Sequence, residues 1–284
     1  MLESPISLPF AAAMRDAYLR RLGFDAPEAP SLAFLQRLQR AHVQAIPYEN
    51  LGVLSGRPVS LDPGDLYRKI IVGMRGGYCF ELNVLFGWLL RELGYDPELR
   101  LGRVWLRDPD AVPPRNHGTH VVHMGGRTVI ADVGFGGRAP RRPLDIAERD
   151  VPIDDGDGAE EPLRILDAGE HGIMVQRRIA GHWANQFSLE ETAAHLSDLE
   201  VANHYQSTAP SSQFRHHLFV GLFREDGRDG LFDTRLSRRR GTETLTETIT
   251  SAGHLARVLD EVFGLDPDEH EPALVRIIEE QQCG

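Results

Sequence analysis

Arg75-Gly76-Gly77-Tyr78-Cys79-Phe80-Glu81 is the stretch on which the fold turns. Before it, DLYRKIIVGM (65–74) has helical spacing; after it, FELNVLFGWLLRELG (80–94) is a strongly apolar helix that Gly94 closes. The two glycines interrupt the periodicity between them. Cys79 therefore sits at or within the first turn of the apolar helix, where unpaired backbone N–H groups and the helix dipole favour thiolate over thiol. A cysteine so placed suits a nucleophile. Taken alone it reads rather as a small apolar side chain packing the helix, so its company decides.

Toward the N-terminus, AYLRRLGF (17–24) and SLAFLQRLQRAHVQAI (31–46) repeat apolar residues three and four apart, with Ser31 as N-cap and Pro47 ending the run. Residues 1–94 read as a helical lobe carrying the cysteine. From Leu99 the texture changes to short β-prone runs: LRLGRVWL, THVVHM, TVIADVGF, LRILDA, IMVQRR and NQFSL. HMGGRTVIAD (123–132) predicts a hairpin turning on Gly125 and Gly126. These runs define a β lobe over 95–200. Within it AERDVPIDDGDGAEEP (147–162) is too acidic and too poor in apolar side chains to pack, which predicts a solvated loop. Residues 201–284 form a third, mixed lobe, with strands at HHLFVGLF and GLFDTRL and a final helix at SAGHLARVLDEVFG. His216 and His217 read as surface residues. The fold class is α+β.

A chain of 284 residues, 41% hydrophobic, has enough apolar material for a core. Its net charge of -11 excludes a general binder of nucleic acid or anionic membrane, either of which needs a basic surface. No run reaches the roughly 18 apolar residues of a membrane span. The N-terminal segment carries Glu3 and a short apolar run broken by Pro9, unlike a signal peptide. Only two cysteines occur, Cys79 and Cys283, too few for a disulfide framework. A cytoplasmic protein without a metal site is expected. Lys69 is the only lysine, and nothing functional is drawn from it.

A thiol nucleophile needs a base, and the base needs a third group to orient it. PPRNHGTHVVHMGGRTVIADVGFGG (113–137) supplies three histidines around a hairpin, His117, His120 and His123, and Asp132 in an apolar strand. Burying that carboxylate alone would cost several kcal/mol, so pairing with a histidine across the hairpin is the economical reading.

IPYENL (46–51), RGGYCFELN (75–83), ADVGFGG (131–137) and NHYQSTAPSSQFRHHLFV (203–220) resemble, in order, the characteristic segments of the arylamine N-acetyltransferases. The resemblance runs from about Ala17 to Phe263. It implies a helical bundle, a β-barrel-like lobe and an α/β lid lobe around a cysteine-protease-like core, with a Cys79, His117, Asp132 triad. His117 stands at the family's spacing of fifteen residues before Asp132, whereas His120 would need a shortened hairpin. The resemblance also implies a salt bridge between Arg75 and Glu49, approach of coenzyme A over Gly134, Gly136 and Gly137, and an acceptor pocket lined by Phe135 and Phe214. The implied reaction is ping-pong acyl transfer from acetyl-CoA, a cosubstrate, to an arylamine or arylhydrazine, with no tightly bound cofactor. Rival readings are an amide synthase closing a macrolactam from a carrier-bound polyketide, a hydrolytic cysteine enzyme, and a non-enzymatic binding protein. Homodimerisation is left open.

Overall fold

Ser31 opens the second helix as the local rules require, its Oγ accepting from the Phe34 N–H at 3.1 Å. The computed structural model describes residues 8–106, 109–156, 161–267 and 270–283, and the side chains of these except 8–10, 271 and 281–283; the Cys283 side chain thus lies outside the description. Helices α1 (Leu8–Arg21) and α2 (Leu32–Ala45) precede a short strand β1 (Tyr48–Glu49) and two one-turn helices, α3 (Leu51–Leu54) and α4 (Pro63–Leu66). A π-helical segment, Tyr67–Val72, follows α4 directly. Helix α5 (Cys79–Glu92) starts on the cysteine and ends before Gly94, whose φ of +82° suits a residue without a side chain. Phe80, Leu85, Phe86, Leu89 and Leu90 of α5 are completely buried, each contributing about 1.5–3 kcal/mol relative to exposure.

The β lobe is one antiparallel sheet of seven strands: β2 (Asp96–Val104), β3 (Arg115–Met124), β4 (Arg127–Ala131), β5 (Leu144–Asp145), β6 (Leu163–Asp167), β7 (Ile173–Ile179) and β8 (His182–Ala193). Their order is β5-β4-β3-β2-β8-β7-β6. After β5, at one edge, the chain reaches β6 at the other, bridging Arg149 to Ile165 and Ile153 to Leu163. The sheet is thereby nearly closed into a barrel. Gly125 and Gly126, both at positive φ, make the two-residue turn between β3 and β4. That hairpin packs against α5.

The remainder of the chain comprises α6 (Leu196–Thr208), strands β9 (Phe219–Arg224), β10 (Gly227–Phe232), β11 (Arg235–Arg240) and β12 (Glu243–Thr248), and helices α7 (Ala252–Phe263) and α8 (Glu271–Cys283). Its sheet runs β1-β9-β10-β11-β12, so β1 of the helical region pairs with β9, Glu49 opposite Val220. A second core fills behind it, where Val220, Leu222 and Leu231 meet Leu255 and Leu259 of α7 and Leu274 and Ile277 of α8. Strand β12 was not foreseen because every residue in it is exposed, which leaves no apolar alternation to read.

The acidic segment 147–162 is not the solvated loop its composition predicts. Positions 157–160 lie outside the described residues, but on either side the segment packs. Ile153 is 5% exposed, and Asp155 accepts from the Arg141 N–H at 2.7 Å and from the buried Arg177 guanidinium at 2.8 Å. Glu161 meets Arg228 and Arg239 of the third-lobe sheet. The acids are buried because arginines from two lobes pair with them, and those partners are invisible in the segment's own composition.

Candidate active site

The loop before Cys79 is held against β1. A side chain at Gly76 would bring its Cβ to 2.1 Å from the Pro47 carbonyl oxygen, so only glycine fits there. The Glu49 N–H donates to the Gly77 carbonyl at 2.9 Å, and the Glu81 carboxylate accepts from the Tyr78 N–H at 3.2 Å. Cys79 becomes the first residue of α5, 4% exposed, with Sγ 3.8 Å from the Asn116 carbonyl oxygen. The backbone N–H groups of Cys79 and Phe80 favour the thiolate, as expected for a helix start. Burial and the neighbouring Asp132 charge outweigh them and push the thiol well above its usual value. That direction runs against the thiolate which the helix position alone favours.

Asn116 precedes His117 on β3, and across the hairpin Asp132 follows the end of β4. His117 Nε2 and Asp132 Oδ2 are 2.5 Å apart, their side chains 1% and 0% exposed. Asp132 Oδ1 accepts from the Gly134 N–H at 2.8 Å and from Asn83 Nδ2 at 3.1 Å. Burial alone would raise the Asp132 carboxyl, but the charge and hydrogen bond of His117, with the two further donors, hold it below the ordinary carboxylate range. Phe135 and Phe187 each place a ring centroid 5.2 Å from the imidazole. Phe187 was not anticipated.

Nor was Asn83, one helical turn beyond Cys79. Its amide reaches Gly118 O at 2.6 Å as well as Asp132, while its Oδ1 accepts from the Val133 N–H at 3.0 Å. An asparagine in an otherwise apolar helix, four residues after the candidate nucleophile, was the available signal. Gly134 lies where a Cβ would sit 2.8 Å from Cys79 Cα. Its lack of a side chain thus serves the approach of the VGF segment after β4 to the cysteine. Gly136, at φ +62°, lies against the Tyr48 ring, and only Gly137 faces open space.

His120 takes another direction. Its Nε2 meets the Asn83 carbonyl oxygen at 2.8 Å, its ring occupies the space beside Gly87, and burial lowers its pKa to about 4. His123 is exposed. Phe214 packs edge-on against Tyr78 and Phe219, whereas Phe135 packs with His117 and Phe187, so the two phenylalanines expected in one pocket stand in separate ring clusters.

Arg75 and Glu49 do meet, at 4.0 Å, but Lys69 is the closer brace. Its Nζ is 2.7 Å from Glu81 and 3.7 Å from Glu49. Burial works against the Lys69 charge, yet the two glutamates outweigh it and raise its pKa. The π-helical segment delivers this lysine under the cysteine loop. Arg75 also contacts His270, whose Nδ1 lies 2.7 Å from Ser55 Oγ. Among the described residues no cluster of histidine, cysteine and carboxylate side chains could hold a metal, and no helix is long and apolar enough to cross a membrane.

A sequence model of a family described as N-acetyltransferase matches residues 31–271. An arylamine N-acetyltransferase / N-hydroxyarylamine O-acetyltransferase of Salmonella typhimurium is 37% identical over 212 residues, which cover 74% of this chain and 73% of that protein. This chain belongs to the arylamine N-acetyltransferase family. An arylamine N-acetyltransferase of Mycobacterium bovis is 35% identical over 258 residues, 88% of each chain. The fold agrees throughout: the arylamine N-acetyltransferase of Mycobacterium marinum in complex with CoA superposes with a TM-score of 0.86 at 31% identity, covering 93% of this chain and 98% of that one. The family's mixed fold with a barrel-like sheet is the one described above.

Proposed function

We propose that this arylamine N-acetyltransferase moves an acetyl group from acetyl-CoA to the nitrogen of an arylamine or arylhydrazine, with Cys79 as nucleophile, His117 as base and Asp132 as its orienter. The observation that carries the assignment of roles is the buried 2.5 Å contact of His117 with Asp132, one residue from the carbonyl that Cys79 Sγ meets. With Nε2–H donated to Asp132, Nδ1 is left with its lone pair. It takes the thiol proton as sulfur attacks the thioester carbonyl. Coupling the two steps avoids a free thiolate, which burial disfavours.

The tetrahedral oxyanion forms at the start of α5, where the N–H groups of Cys79 and Phe80 already favour negative charge. Collapse breaks the carbon–sulfur bond to coenzyme A, which leaves as a thiol with the proton from His117. The amine then attacks the acetyl-cysteine, His117 takes the amine proton, and the amide departs as the cysteine thiol re-forms. Lys69 and Arg75 brace the loop through Glu81 and Glu49. Gly136 and Gly137 give the pantetheine arm its approach, Gly137 being the unobstructed one, and Phe135 and Phe214 meet the acceptor. We assign the units 1–94, 95–200 and 201–284 as bundle, barrel lobe and lid, and place the enzyme in the cytoplasm, which an unpaired Cys79 supports.

The test follows free coenzyme A thiol while the protein is incubated with acetyl-CoA and a panel of arylamines and arylhydrazines. Amine-dependent release is expected, with Cys79→Ala silent and still folded. Release that proceeds as fast without any amine would make the protein a hydrolase. Sedimentation of the same sample reads self-association.

A further inference from the structure

The third lobe holds a second histidine–aspartate pair that the acetyl-transfer reading leaves unused. Of the two neighbouring histidines, His216 bonds the Pro210 carbonyl oxygen. His217 instead donates from Nδ1 to Asp233 Oδ2 at 2.8 Å, while its own carbonyl accepts from Asn50 Nδ2 at 2.8 Å. The Asp233 side chain is 4% exposed, and its other oxygen accepts from the Leu218 N–H at 2.8 Å. Asp233, at φ +50°, opens the two-residue turn between β10 and β11, a left-handed position that aspartate tolerates. With Nδ1 committed to Asp233, the Nε2 of His217 is a hydrogen-bond acceptor, and among the described residues it has no protein partner.

The rings around it form a path. The His217 imidazole stacks on Phe232 at 5.3 Å and 30°, and their side chains are about equally exposed, 42% for His217 and 40% overall for Phe232. Phe232 meets Phe219 at 5.1 Å, Phe219 meets Phe214 at 5.4 Å, and Phe214 meets Tyr78 at 5.6 Å. Tyr78 immediately precedes Cys79. A chain of ring contacts, stacked at its outer end and edge-on further in, thus links the half-exposed His217–Phe232 pair to the buried Tyr78 beside the candidate nucleophile.

Building on the acceptor proposed above, we infer that His217, Asp233 and Phe232 form an outer docking point for the aromatic amine, before it reaches the acetyl-cysteine. The aryl ring stacks on the exposed face of the Phe232–His217 pair, and its amine N–H donates to His217 Nε2. The Asp233 carboxylate behind the imidazole disfavours an anion, so a neutral N–H donor, not a phosphate-bearing nucleotide, is the complement. His217 acts here as a specificity-determining residue and takes no part in bond making.

The experiment separates the two half-reactions of the full-length His217→Ala enzyme. Acylation is followed as the burst of free coenzyme A thiol without amine. Deacylation is followed at varied 4-methoxyaniline and, separately, hydrazine, which has no ring. The acetyl-CoA dependence should stay within about twofold of wild type, and KM for 4-methoxyaniline should rise about tenfold at nearly constant kcat, the loss of one stacked ring and one hydrogen bond. Hydrazine, which has N–H donors but no ring to stack, can lose only the hydrogen bond and should show a distinctly smaller rise in KM. Phe232→Leu, at an exposed position, should raise the same KM by less.

An unchanged KM for 4-methoxyaniline overturns the inference, as does an equal loss with hydrazine or a rise confined to KM for acetyl-CoA, which would give the rings to adenine. Should the wild type acetylate no arylamine, the acceptor reading itself fails. Calorimetric binding of 4-methoxyaniline then decides the docking point: about tenfold tighter binding to wild type than to His217→Ala supports it, and equal binding overturns it.

Discussion

His117–Asp132 and His217–Asp233 are the same pair of side chains in two environments. The first is closed off, 1% and 0% exposed, at 2.5 Å; the second has a 42% exposed histidine over a buried aspartate, at 2.8 Å. Each is braced by an asparagine amide. Asn83 holds Asp132 and the backbone around it, while Asn50 holds the carbonyls of Phe214 and His217 and accepts from the Phe219 N–H. What differs is access by water. In the mechanism proposed above, a proton shifted between Cys79 and His117 creates charges that Asp132 and fixed amides answer, and we assign this pair to chemistry. Around His217 water reaches the imidazole, and we assign that pair to recognition.

That contrast can be broken most forcefully by Asp132→Asn. A comparable change in a triad costs on the order of 10⁴ in rate, and steady-state acetyl transfer should fall by that order, whereas Asp233→Asn should alter only the acceptor KM. Equal losses would erase the distinction. Because the Asp132 carboxyl is held below its ordinary value of 3.8 in the fold, the stability it contributes is fully present above that range and is lost as pH falls through the native value. Urea midpoints of wild type and Asp132→Asn should therefore converge in strong acid.

The bracing asparagines come next. Asn83→Ala strands the buried Val133 N–H and leaves Asp132 Oδ1 with the Gly134 N–H as its one remaining donor, so a loss of about 1–3 kcal/mol is expected by urea titration, together with a lower rate of Cys79 acylation. Asn50→Ala should destabilise comparably while sparing acylation. A smaller contrast separates two glycines. Gly134→Ala forces a Cβ to 2.8 Å from Cys79 Cα, at a cost of about 1–3 kcal/mol for overpacking. Gly137→Ala meets nothing within 4 Å and should leave stability alone; any effect should appear in KM for acetyl-CoA.

The smallest catalytic effect is expected at His120→Gln, a few-fold in rate, since His120 bonds a helix carbonyl and not Asp132. Its signature is in stability. Burial lowers the native pKa to about 4 from 6.5, so the unfolded chain takes up the proton first. The neutral-histidine contribution is complete above 6.5 and declines as pH falls from 6.5 to 4. The glutamine variant should show a flatter urea-midpoint profile across that window, and an unchanged slope would mean that His120 titrates normally.

Much of this molecule follows from short stretches of chain. The break at Gly76 and Gly77 before an apolar run places Cys79 at a helix start, Ser31 and Gly125-Gly126 cap and turn as single residues dictate, and the apolar strand around Asp132 calls for a partner that His117 provides. These features depend on backbone propensity and on neighbours within about one turn or one hairpin. Tertiary structure decided the rest. Lys69 became the brace of the cysteine loop because Glu49 and Glu81 converge on it from both sides in sequence. Asp155 and Glu161 were buried because arginines of two different sheets meet them. The thiol shows the reason most clearly: its helix position favours the thiolate, a local effect, but its pKa is raised by burial under the barrel and by the charge of Asp132. Desolvation depends on everything that packs around a group, and no local stretch of sequence contains that.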